Sequence, residues 1–241
     1  MAEMGLGYGS EYQLLRYLGH HRNELNDIIN KTTRLQGQLI WLDYPKNIKR
    51  LSLDGEYVGM DFLRDPVITN SSLATNIKTL LRDWKDYWST QGTPPNWDGV
   101  ILHTNKNEIE LVIVEAKAHI KEIKSKTESS SNKRIQEAFN NTQVSLNISN
   151  RNWFGKHYQL ATRLALVNFF RKHNINASLL YIYFINGYEK RQLLGKIKVL
   201  GTNKSVKDQS DWEKVVEEEY ADLGISEQAK KYISNVFIDC K

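Results

Sequence analysis

A chain of 241 residues with 40% hydrophobic and 25% charged residues suits one large globular domain with an ample core. No apolar stretch reaches membrane-spanning length, no charged-then-apolar leader opens the chain, and the single cysteine, Cys240, excludes a disulfide framework and a cysteine-based metal site, so the expected setting is the cytoplasm. A net charge of +5, from 33 basic and 28 acidic residues, permits nucleic-acid binding without requiring it.

The first nine residues are glycine-rich. Ser10 and Gln13 then have the spacing of a capping box, which predicts a helix from Ser10 to about Thr33 with Leu15, Leu18, Arg22, Leu25 and Ile29 at helical intervals. Glu11 opens that face, either as a partner of the helix dipole or as an acid aimed at a site. Short strands are expected at 39–42, 50–53 and 56–63, the last two flanking the turn Asp54-Gly55. A helix over 72–89 carries Ile77, Leu80, Leu81, Trp84 and Trp88 on one side, and Pro94-Pro95 closes the region. After a hairpin at 97–119 comes a polar, serine-rich, basic loop at 120–133. Helices at 133–148 and 157–173 and a buried strand at 177–185 follow. Helices at 211–221 and 227–233 and a strand at 235–239 complete the chain, with no internal repeat.

The hairpin carries the chemistry. Asn96-Trp97-Asp98-Gly99 leads into an apolar strand, Thr104-Asn105-Lys106-Asn107 is turn-forming, and Leu111-Val112-Ile113-Val114 runs straight into Glu115-Ala116-Lys117-Ala118-His119. Alternation of strand faces puts Glu115, Lys117 and His119 on one side. A four-residue loop pairs His103 with Glu108, so that Asp98 faces Ile113 and lies diagonally from Glu115, about 7–8 Å away between backbones. A slip of one residue would send the two acids to opposite faces. The continuous apolar run marks a strand buried on both faces. Charges at its end need partners or a metal, since buried charge is costly otherwise. Hard carboxylate oxygens suit Mg²⁺, and Lys117 between acids would stay charged.

The order helix, strands, Asp-bearing strand, Glu-x-Lys strand, helix, strand resembles the core of the PD-(D/E)XK nuclease superfamily over residues 10–185. The segment Tyr158-Gln159-Leu160-Ala161-Thr162-Arg163 is similar to an uncharacterised prokaryotic branch of it. The resemblance implies an α/β (α+β) single domain with a restriction-endonuclease-like core. A central mixed sheet would be flanked by helices, with added N-terminal strands and a C-terminal helical extension over 186–241. It further implies a metal-dependent nuclease acting on DNA, with Asp98 and Glu115 ligating Mg²⁺ or Mn²⁺. Lys117 would position the attacking water or stabilise the phosphorane, and Glu11 would assist the metal or its water. Trp97 stands where that family usually has proline. His119, Gln159 and Arg163 are candidates for contact with nucleic acid, Arg163 as a bidentate phosphate clamp. His119 on the rim and Arg163 as a polar contact between helices are the plainer readings, and Tyr158 reads first as core. A homodimer would suit double-strand cleavage, although no residue pattern demands one. A non-cleaving nucleic-acid- or partner-binding module is the alternative reading, and a purely structural Glu115–Lys117 ion pair a third.

Overall fold

The structure, a computed structural model, describes residues 9–42, 57–88, 94–106, 108–123, 132–148, 151–187 and 206–240. It is an α+β fold around a five-stranded mixed sheet. Two helices, α1 (Ser10–His20) and α2 (Arg22–Thr32), lead to β1 (Gln38–Trp41). A short β2 (Tyr57–Val58), one helical turn α3 (Pro66–Thr69) and α4 (Ile77–Tyr87) precede β3 (Asn96–Trp97), β4 (Gly99–Asn105) and β5 (Glu108–Lys117). Then come α5 (Lys133–Ser145), α6 (Tyr158–Lys172), β6 (Ala177–Ile185), α7 (Gln209–Leu223), α8 (Glu227–Lys230) and β7 (Ile233–Asp239). Among the described residues no helix is long and apolar enough to cross a membrane.

The sheet order is β1-β4-β5-β6-β7, and β2 pairs with β3 in a separate two-stranded ribbon. Strands β1, β4 and β5 form an antiparallel meander, whereas β5, β6 and β7 run parallel. The parallel half needs crossovers, and α6 supplies the one into β6. Continuous apolar runs in β5 and β6 have both sheet faces to fill. On one side Leu14, Tyr17, Leu18, Leu25 and Ile29 of α1 and α2 pack on Ala116, Ala118, Ile182 and Phe184. On the other, α4, α5, α6 and α7 bury Ile113, Tyr181, Tyr183 and the aromatic cluster around Phe139 and Phe169. Most of α6 is buried all round, as expected of a helix enclosed by sheet and helices.

Several expectations change. The first helix breaks at His21, whose backbone leaves helical geometry, and Arg22 donates back to the Leu18 carbonyl across the break. Gly9, not Ser10, caps α1, and Gln13 turns inward to the Gly187 carbonyl instead of closing a capping box. The inward face of α1 is therefore Leu14, Tyr17 and Leu18, with Leu15 only half-buried. Of the strand expected over 56–63 only Tyr57–Val58 forms, followed by a 3-10 turn, Asp61–Arg64. The hairpin expected at Asp54-Gly55 and its strand at 50–53 lie outside the described residues, as does the serine-rich part of the loop at 124–131. The segment after 186 is more than a helical extension. Its last strand, β7, is the fifth strand of the sheet, and Trp212 of α7 is wholly buried.

Candidate active site

The hairpin register decides which charges meet. Asn105 pairs with Glu108, leaving a two-residue turn in which Lys106 takes φ 54°, and His103 pairs with Glu110 instead of Glu108. The pairing thus moves by two residues from the expected one. Parity survives a shift of two, so no side chain changes face. The paired register ends at Gly99 with Val114, and Asp98, the bend residue before it, comes near the end of β5, where it acts electrostatically on both Lys117 and Arg163.

Glu115 is 2% exposed and both of its carboxylate oxygens are taken. Lys117 Nζ donates to Oε1. Arg163 donates to Oε2 from Nε at 2.9 Å and from Nη2 at 2.7 Å. Arg163 also donates from Nη2 to the Asn96 carbonyl at 2.9 Å, and its guanidinium sits 5.1 Å from the centre of the Trp97 ring. One side chain therefore ties the Asn96-Trp97 segment, which carries Asp98, to the carboxylate of the facing strand. Asp98 is half-buried and accepts the Ala116 N–H through Oδ2 at 2.7 Å. Trp97 is fully buried, its indole N–H donating to the Gly59 carbonyl, and so fixes the approach to Asp98.

Electrostatics follow from this packing. Burial alone would raise the Glu115 pKa, but Arg163 and Lys117 outweigh it and hold the carboxyl below its ordinary value. Burial works against the Lys117 charge, yet Glu115, Asp98 and Glu122 together raise its pKa, so it is an ammonium and not a free base. The parallel neighbour adds phenols: Tyr181 is registered with Glu115 and Tyr183 with Lys117. Both are buried, and burial, reinforced by nearby carboxylates, keeps both phenols protonated.

The other sequence candidates are distributed unevenly. Arg163 joins the site, but as the partner of Glu115 and not as an outward phosphate clamp. Gln159 lies one turn before Arg163 on α6, half-buried. His119 continues the face of Glu115 and Lys117 and is half-buried, its Nε2 3.4 Å from Glu122; burial lowers its pKa. Glu11 stands in the first turn of α1, and that helix packs on the sheet face bearing Ala116 and Ala118, opposite to Glu115 and Lys117. The charges that govern Glu115 and Lys117 come instead from Arg163, Asp98 and Glu122.

One neighbour escaped sequence reasoning. Glu219 of α7 is 3% exposed, accepts from His157 across 3.2 Å, and interacts electrostatically with both Lys117 and Glu115. Burial raises its pKa. Its helix face was legible, but nothing local indicated that α7 would pack against the charged end of β5.

Asp98 and Glu115 supply hard oxygen donors of the kind Mg²⁺ and Mn²⁺ prefer. Among the described residues no group of three or more His, Cys, Asp or Glu side chains is gathered for a metal. A cation there would rest on the Asp98 carboxylate and retained waters, with Glu115 exchanging one of its two cationic partners to join it. No protein-family model, curated protein or solved structure matches this chain.

Proposed function

We propose that this protein is a metal-dependent nuclease of PD-(D/E)XK type that hydrolyses phosphodiester bonds, with DNA as the substrate. The observation that supports the reading most is that Asp98, Glu115 and Lys117 gather at the end of β5, both acids acting on the Lys117 charge. The topology also supports the reading: helix, antiparallel meander, helix and parallel strand follow in the order that the resemblance implies. A bound Mg²⁺ would neutralise phosphate charge and make a ligated water more acidic. The chain's own groups have separate tasks. Lys117, kept charged by its carboxylate neighbours, stabilises the negative charge that builds on the phosphoryl oxygens. Arg163 orients Glu115 and holds the Asp98 segment against it. Trp97 excludes water from beneath that clamp.

A second reading has an observation in its favour. Both Glu115 oxygens are already satisfied by cations, as they would be in a non-cleaving binding module that keeps the charge cluster for structure. Asp98→Asn separates the two, because an amide oxygen can still accept the Ala116 N–H while the charge is lost. Calorimetric titration with Mn²⁺, DNA cleavage and thermal melting should be measured on wild type, Asp98→Asn and Lys117→Met. The nuclease reading expects metal-dependent cutting that falls at least about 100-fold in Asp98→Asn with little change in melting. Absence of metal binding and of cutting in the wild type would refute it.

A further inference from the structure

At the opposite end of the sheet, where β4 finishes and β5, β6 and β7 begin, four segments enclose a pocket of about 320 Å³. That is the lower end of the size range of small-molecule sites. It is five residues along β5 from Glu115, about 17 Å away, and is independent of the nuclease reading.

Its walls are cross-linked. Arg34, just before β1, donates to Glu110 of β5 with both terminal nitrogens, at 3.0 and 2.5 Å, and from Nε to the Lys231 carbonyl at 3.1 Å. His103 of β4 bridges Glu110 and the Gln36 carbonyl, at 3.4 and 3.1 Å. Three chain segments distant in sequence are thereby fixed before any ligand arrives. The Glu110 charge is consumed inside the wall.

What remains facing the space is mainly cationic. The Arg171 guanidinium rests 4.2 Å from the centre of the Tyr232 ring, and it makes no hydrogen bond or ion pair with any described residue. The Lys231 ammonium likewise has none among the described residues. The amides of Asn105 and Asn176 line the same space, and Glu108 is the one lining carboxylate left without a described partner. A planar guanidinium fork beside an ammonium suits an oxyanion with several oxygens, the fork taking two and the ammonium another. A phosphomonoester carries close to two charges at neutral pH, matching the two uncommitted cations. The pocket exceeds the bulk of the phosphoryl group, and the two amides provide partners for attached hydroxyls.

We infer that this pocket binds a small phosphomonoester, gripped by Arg171 and Lys231 and preorganised by the Arg34–Glu110 pair. The test is calorimetric titration of the full chain with inorganic phosphate and, separately, ribose 5-phosphate at constant ionic strength in chloride. Wild type, Arg171→Gln, Lys231→Gln and the nearby control Lys172→Gln are compared, with melting curves to verify folding. Saturable one-to-one binding is expected, weakened about tenfold or more in Arg171→Gln and Lys231→Gln and unchanged in Lys172→Gln. Tighter binding of the sugar phosphate would identify an organic phosphate as the ligand, and equal binding would assign recognition to the phosphoryl group alone. No saturable binding of either probe, or equal weakening in all three variants, would overturn the inference.

Discussion

Replacing Arg163 by Met removes the charge while retaining much of the aliphatic stem, so the loss is chiefly electrostatic. Three hydrogen bonds go, two to Glu115 and one to the Asn96 carbonyl. Glu115, at 2% exposure, keeps Lys117 alone as its cation. Hydrogen bonds to charged groups contribute about 1.5–3 kcal/mol each but do not add when they share an acceptor. Breaking a buried pair by removing one partner costs about 3–5 kcal/mol, the figure expected here. Arg163→Lys should fall between, because an ammonium lacks the planar fork that serves Glu115 and Asn96 at once. The triple variant Arg163→Met/Glu115→Leu/Lys117→Met should recover most of the loss, since apolar replacement of a whole buried charge cluster is often near neutral. Guanidinium unfolding followed by tryptophan fluorescence measures each. A loss below about 1 kcal/mol for Arg163→Met, with unchanged denaturant dependence, would mean that the guanidinium is solvated and does not hold Glu115.

The same variant bears on the proposed chemistry. With Oε2 released from Arg163, the carboxylate has one cationic competitor fewer, so Mn²⁺ should bind Arg163→Met several-fold more tightly than wild type even if cutting falls; weaker binding would argue that Arg163 is needed to shape the metal site. Acid titration tests the opposite end of the sheet. Burial would raise Glu110, but hydrogen bonds from His103 and Arg34 override it and bring its pKa down to about 2 from an ordinary 4.5. A carboxyl lowered on folding contributes stability above its unfolded pKa and loses it as pH falls through the folded one. Discounted for partial exposure, wild type should exceed Glu110→Gln by about 2 kcal/mol near neutrality, the gap closing between pH 4.5 and 2. A gap that does not vary with pH would contradict this. At Gly37 the backbone has φ 141°, and a Cβ would meet the Thr104 carbonyl oxygen at 2.4 Å. Gly37→Ala should therefore cost more than about 2 kcal/mol in equilibrium unfolding, and a neutral result would show that β1 can move away from β4.

Local periodicity was enough for the elements whose neighbours agree with it. The mostly apolar segment Ala177–Ile185 is a strand with the expected bounds, and the helices around 133–148 and 157–173 form within a few residues. The shared face of Glu115 and Lys117 was also legible, because alternation along β5 depends on the chain alone and survives a two-residue shift in pairing. The register itself was not. It depends on whether the turn uses two residues or four, and Lys106 in the left-handed region was not predictable from the turn-forming composition of 104–107. The diversion of Gln13 to Gly187 brings α1 to the end of β6, a contact between residues 174 apart in sequence.

The partners of the buried charges belong to the same class. Sequence placed Arg163 on a helix face and allowed it to reach either outward to phosphate or inward. Only the crossover of α6 over β5, with Trp97 beneath the guanidinium, committed it to Glu115. Glu219 and β7 come from a segment that reads locally as an appendage, yet one packs near the charged end of β5 and the other completes the sheet. The chain by itself determined which residues alternate, which are apolar and which charges of β5 share a face, since those follow from backbone geometry within a few residues. Tertiary structure decided which charge answers which, because those pairings join residues brought together only when helices and strands distant along the chain pack across the sheet.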